Sequence, residues 1–207
     1  MRYLGIDGGG SKTAFLLVDE DFNEICKLQS GPSNWLSVGA EAAKAAITGG
    51  ISQLTERPDI VCGGFAGAGR PESAKFYKDV LTPLVPEATV IIESDAFIAS
   101  IGAIGLDPGV LLIAGTGSIA IGRDKDGSVF RVGGWGPYFG DDGSGFWIGR
   151  EAVRTALRSM DAQAPPEFAD RLAKRLGLKS VPEIVGAWAS GKIGVPDVAG
   201  LFPEVLA

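Results

Sequence analysis

The sequence predicts an α/β protein built from two similar halves, and two observations carry that reading. A strand, a glycine-rich turn, a strand, a polar turn and a third strand follow one another at the start, in LGIDGGGSKTAFLLVDEDFNEI (residues 4–25). The same order returns in GVLLIAGTGSIAIGRDKDGSVFRVGG (residues 109–134), with slight identity but the same arrangement. Between the two segments, apolar residues at helical spacing alternate with short apolar runs. Beyond Gly145 the pattern is mostly helical.

Taken in order, residues 2–7 and 12–19 read as strands, the second with Ala14, Leu16 and Val18 on one face. DEDFNE is a polar turn and residues 25–29 a third strand, so the opening is an antiparallel meander whose first turn is the glycine run. Residues 39–55 form a helix through Ala42, Ala43, Ala46, Ile47 and Leu54. A strand at 59–65 ends in the turn AGAGRP. A helix at 72–84 is stopped by Pro86. A strand at 89–93 leads into SDAFIASIGAIG, a helix capped by Ser94 or Asp95. The turn LDPG marks a boundary between domains 1–108 and 109–207. After the second meander, helices are expected at 146–160, 167–176 and 181–190.

The 207 residues are 45% hydrophobic and 21% charged, which suffices for a sizeable core. The net charge of −6 and the lack of a Lys/Arg cluster argue against nucleic acid as a partner. No apolar run is long enough to span a bilayer, and the N-terminus does not read as a secretory signal. Cys26 and Cys62 have neither metal-ligand spacing nor the look of a disulfide framework, so a cytoplasmic setting is expected. The chain has no histidine. Imidazole bases and Ser-His triads are thereby excluded, and proton transfer falls to Asp, Glu, Lys, Tyr or Cys.

The 31 glycines cluster in short runs between strand-like segments. Such runs let successive backbone N–H groups point into one concavity, an anion nest. DGGGSK adds the carboxylate of Asp7, the hydroxyl of Ser11 and the ammonium of Lys12. GTGS adds the hydroxyls of Thr116 and Ser118. N–H groups and hydroxyls suit phosphate oxygens, and a carboxylate suits Mg²⁺, directly or through water. The spacing is not that of a Walker A loop, and no helix follows the glycines as a dinucleotide fingerprint requires. On residue type alone, other roles stay open. Asp95 has the residue type of a helix cap, Asn34 of a turn former and Trp135 of a core residue. Asp141 and Asp142 have the residue type of a capping pair.

GIDGGGSKTAFLLVD resembles the first phosphate motif of the sugar kinase, actin and heat-shock chaperone ATPase superfamily, and GVLLIAGTGSIAIG its second. GGWGPYFGDDGSGFWIGREA narrows the resemblance to the BadF/BadG/BcrA/BcrD-type group, which includes N-acetylglucosamine and glucosamine kinases. The match runs to about Leu157. It implies two ribonuclease H-like α/β lobes with ATP and Mg²⁺ in a cleft between them. By the same resemblance, Asp7 positions Mg²⁺ through water. Gly9, Gly10, Ser11 and Lys12 contact phosphates from the first lobe, and Gly115, Thr116 and Gly117 from the second. Asn34 and Trp35 fall at the sugar-binding position, Asp95 at the catalytic aspartate, and Gly134, Trp135, Gly136 and Asp141 at the second-lobe sugar contacts.

The implied function is ATP-dependent phosphorylation of a small-molecule amino sugar, N-acetylglucosamine or glucosamine, with no nucleic acid or membrane partner and with a homodimer compatible. Two alternatives are an ATPase of the 2-hydroxyacyl-CoA dehydratase activator type and a catalytically weak fragment or sugar-binding regulator. The activators hold an iron–sulfur cluster through cysteines in their second half, and no cysteine follows Cys62 here. Ser11 stands where the family usually has Thr, and Asp142 where it has Glu, beside the sugar pocket. The family pattern continues past residue 207 with two further strands, an adenine-contacting segment and a closing helix. The expectation is therefore a second lobe present in its N-terminal part only, with an exposed apolar sheet face and weak ATP binding.

Overall fold

The computed structural model describes residues 1–164 and 166–207. It divides into two compact units, Met1–Leu106 and Asp107–Ala207.

In the first unit, β1 (Tyr3–Gly8), β2 (Thr13–Val18) and β3 (Glu24–Ser30) form the antiparallel meander. β4 (Ile60–Phe65) and β5 (Thr89–Ser94) add to the other side of β1 in parallel. The strand order is β3-β2-β1-β4-β5. Parallel neighbours need crossovers, which the helices supply: α1 (Trp35–Val38) and α2 (Ala40–Ile51) lead to β4, and α3 (Pro71–Leu81) leads to β5. α4 (Asp95–Ile104) closes the unit. Its cap is Ser94, whose hydroxyl accepts from Phe97 N–H, and Asp95 is the first helical residue.

The core lies between sheet and helices, built from Leu4, Ile6, Phe15, Leu17, Ile47, Val61, Phe65, Tyr77 and Leu81. On β2 the buried face is Thr13, Phe15 and Leu17, with Leu16 left exposed. The grouping of Ala14, Leu16 and Val18 is thus the less buried face. The strand TAFLLV is apolar at both parities, so alternation alone does not say which side is inward.

In the second unit, β6 (Gly109–Ala114), β7 (Ser118–Arg123) and β8 (Val129–Gly133) form a three-stranded antiparallel sheet in sequence order. The helices that follow are α5 (Gly145–Asp161), α6 (Ala169–Arg175), α7 (Glu183–Ala189), α8 (Val195–Ala199) and α9 (Phe202–Leu206). α8 and α9 were not foreseen, because helices so short hold too few turns for periodicity to register. This unit's core sits among its helices, through Phe146, Ala156, Leu172, Val181, Ile184 and Leu201. The sheet contributes little to it. Register aligns Val110, Gly122 and Phe130, and likewise Leu112, Ala120 and Val132, on one face. There Val110, Leu112 and Val132 are 72%, 68% and 71% exposed.

Among the described residues no helix is long and apolar enough to cross a membrane.

Candidate active site

The site in the first unit is set by the carboxyl ends of the parallel strands β1, β4 and β5, where open α/β sheets bind ligands. Gly8, Phe65 and Ser94 lie on one register line. Asp7 therefore sits one residue before that line and Asp95 one residue after it. With neighbouring strands about 4.8 Å apart, β1 and β5 are separated by roughly 10 Å, room for a phosphoryl group and its acceptor. Close packing forces the end of β1 to be glycine: a Cβ on Gly8 would collide with the Phe65 ring and lie 2.5 Å from Ser33 Oγ.

The turn after β1 is tight, with Gly9 N–H donating to Lys12 O at 2.9 Å. The Gly9 carbonyl accepts from Ser33 N–H (3.0 Å) and Asn34 N–H (3.1 Å). In a trans peptide the C=O and the next N–H point in opposite directions. The Gly9–Gly10 peptide thus turns its carbonyl to the Asn34 loop and its Gly10 N–H the other way. Among the described residues, the N–H groups of Gly10 and Ser11 meet no acceptor, and the Asp7 carboxylate makes neither hydrogen bond nor ion pair. Ser11 and Lys12 are exposed beside them. This donor set fits phosphate, and the uncommitted carboxylate fits a hydrated Mg²⁺.

Asn34 caps α1, its Oδ1 accepting from Leu36 N–H at 3.2 Å. The cap uses the carbonyl side of the amide and leaves the Nδ2 donors facing away from the helix. Trp35 is half-buried, stacked on Phe76 at 5.1 Å, and its indole N–H donates to Ser73 Oγ at 3.1 Å. Asp95 Oδ1 accepts its neighbour's amide, Ala96 N–H, at 2.8 Å.

In the second unit, Asp141 organises the glycine turns. It is only 8% exposed and adopts φ of 59°. Its carboxylate reaches Gly136 N–H at 3.4 Å. It also lies so close to Gly117 that a Cβ there would stand 2.7 Å from Asp141 Oδ2. The GTGS and GGWG turns are thus clasped by one side chain. Gly115 N–H donates to Gly117 O, and the Gly115 and Thr116 carbonyls accept the first two amides of α5, Gly145 and Phe146. Ser144, not the Asp141–Asp142 pair, caps that helix, accepting from Trp147 N–H. Among the described residues, the N–H groups of Thr116 and Gly117 meet no acceptor. Gly134 and Gly136 both take positive φ, which sets Trp135 out at 61% exposure. The Arg131 guanidinium packs on the Trp135 ring at 4.8 Å and donates to Gly133 O.

Beside the GTGS turn opens a cavity of about 480 Å³, lined by Gly115, Thr116, Gly145, Arg175, Pro196 and Phe202 among others. That volume lies within the range of small-ligand sites. This cavity is not legible in the amino-acid pattern, since its walls come from α5, α6, α8 and α9, whose meeting is a tertiary event.

The fold, with a glycine turn in each unit, is that of a sugar-kinase-like α/β protein. A solved structure from Chromobacterium violaceum, assigned as an N-acetylglucosamine kinase, shares the fold with a TM-score of 0.73 at 23% identity, over 99% of this chain and 73% of that one. The chain belongs to the BadF/BadG/BcrA/BcrD ATPase family, whose pattern it matches over residues 4–179. It is 39% identical to the N-acetylmuramic acid/N-acetylglucosamine kinase of Clostridium acetobutylicum over 97% of its length. It is 34% identical to the N-acetyl-D-glucosamine kinase of Dictyostelium discoideum over 90% of its length. The chain spans 69% and 64% of those two relatives.

Proposed function

We propose that the protein transfers the γ-phosphoryl group of ATP to a hydroxyl of an amino sugar, N-acetylglucosamine or glucosamine. The observation that carries this reading is the Gly9–Gly10 peptide, which joins the phosphate turn to the Asn34 loop through two hydrogen bonds to one carbonyl. That junction ties the turn proposed to hold phosphate to the residue proposed to hold the sugar. The relatives named above, kinases of N-acetylglucosamine, support the same substrate class.

In this reading the first unit offers Gly9, Gly10, Ser11 and Lys12 to phosphate oxygens, and the second offers Gly115, Thr116 and Gly117. Asp7 would hold Mg²⁺, and the ion would supply charge neutralisation on the phosphates. The cavity beside Thr116 takes the nucleoside, with Arg175 and Phe202 in its wall. Asn34 donates from Nδ2 to a sugar oxygen, with Trp35 holding the loop behind it. Gly134, Trp135, Gly136 and Asp141 supply the second unit's sugar contacts. Asp95 accepts the proton of the attacking hydroxyl, the role that falls to a carboxylate in a chain without histidine. Phosphoryl transfer asks little more of a protein than positioning and electrostatics, and these groups provide both.

The direct test is ADP release across a panel of hexoses. Release stimulated by N-acetylglucosamine or glucosamine above glucose is expected. ATP hydrolysis at one rate with or without sugar would overturn the reading.

A further inference from the structure

Tyr77 is fully buried in an aromatic stack, parallel to Phe65 at 4.0 Å between ring centroids and edge-on to Phe76 at 5.2 Å. A phenylalanine would fill that stack without a hydroxyl to satisfy, and burying a hydroxyl is unfavourable unless it is hydrogen-bonded. Here the hydroxyl is fully used. It donates to Ser33 O at 2.8 Å and accepts from Trp35 N–H at 3.3 Å. Those are the backbone groups on either side of Asn34. One turn earlier on the same helix face, buried Ser73 accepts the Trp35 indole N–H. From the β2 side, buried Thr13 donates to Gly31 O at 2.7 Å, with its Oγ1 2.8 Å from Ser33 Oγ. The Asn34 loop is therefore clamped between a strand and a helix, while its amides reach the phosphate turn through Gly9. The negative charge of Asp95 also acts on the Tyr77 phenol, so the same hydroxyl stands within electrostatic reach of the proposed base.

We propose that Tyr77, assisted by Ser73, is a positioning residue for sugar binding, fixing the backbone around Asn34 so that its amide meets the sugar in one pose. The role rests on the functional reading above. It makes α3, which carries none of the recognised motif residues, a determinant of sugar affinity separate from nucleotide affinity.

The test is steady-state kinetics of Tyr77→Phe and Ser73→Ala, with ATP binding measured separately by calorimetry in the absence of sugar. Tyr77→Phe should raise the KM for the amino sugar about tenfold or more, the usual weight of losing a buried hydrogen-bond pair. The kcat and the ATP dissociation constant should stay within about threefold. Ser73→Ala should raise the same KM by a smaller factor, and it decides the matter if Tyr77→Phe does not fold. An unchanged sugar KM in a folded variant, or an equal shift of sugar and nucleotide constants, would overturn the positioning role alone. Absence of any amino-sugar binding or stimulation in the unsubstituted protein would overturn the functional reading and this role with it.

Discussion

Asp95 and Gly117 show what single residues contribute. Asp95 opens α4 at the end of β5, where Ser94 is the cap and the Asp95 carboxylate accepts the Ala96 amide. Asp95→Asn is expected to lower turnover at least about a hundredfold with ATP affinity kept, the customary weight of general-base catalysis. Near-normal turnover in a steady-state assay would remove Asp95 from that role. Gly117→Ala places a methyl group against Asp141, whose own backbone is held at positive φ. ATP affinity should fall roughly tenfold as the clasp between the two turns opens, measured by calorimetry; unchanged affinity would show that the turn yields at no cost. Tyr77 adds a pH effect. Burial, the largest influence, raises its phenol above the ordinary value, the Trp35 backbone hydrogen bond pulls it down, and the charge of Asp95 raises it again. A raised folded-state pKa means that the contribution is fully present below about pH 10 and is lost as pH climbs past it. Tyr77→Phe should flatten that alkaline loss in thermal melts. Much of the candidate site was legible at this scale, because glycine runs beside Asp, Ser, Lys and Thr suggest their chemistry locally. Tyr77 was not legible, since its partners Ser33 and Trp35 lie more than forty residues away in sequence and nothing in ESAKFYKDV points to them.

At the scale of elements, the five strands of the first unit and the three of the second follow the sequence closely, because short apolar runs bounded by glycine or polar turns leave few alternatives. The sidedness of β2 did not follow. Apolar residues at both parities made either face plausible, and only the docking of α2 and α3 chose Phe15 and Leu17. α1 was also missed, a single turn whose start is signalled by Asn34, a residue equally at home in a turn. α5 illustrates how an element supports the site. Its buried stripe of Phe146, Gly149, Ala152 and Ala156 anchors it, and its first amides hold the GTGS turn from behind. Ser144→Ala removes its cap and should destabilise the second unit by about 1 kcal/mol. A thermal or denaturant transition shifted by that amount would agree, and an unchanged one would show that packing alone sets the helix start.

For the whole molecule, the two units differ in how their sheets are covered. The first buries a face under helices, and the second leaves Val110, Leu112, Phe130 and Val132 in solvent. Exposed apolar faces of this kind favour association. Leu112→Glu combined with Val132→Lys should lower light scattering of concentrated protein, and equal scattering would show that the face is inert. The central claim, that the chain couples an amino sugar to ATP through Asp95 and the Gly9–Gly10 junction, is tested most directly by one assay. ADP formation is followed with and without N-acetylglucosamine or glucosamine, on the unsubstituted protein and on Asp95→Asn. Sugar-dependent ADP release that falls about a hundredfold or more in the variant is the expected result. Release indifferent to sugar, or undiminished in Asp95→Asn, would contradict it.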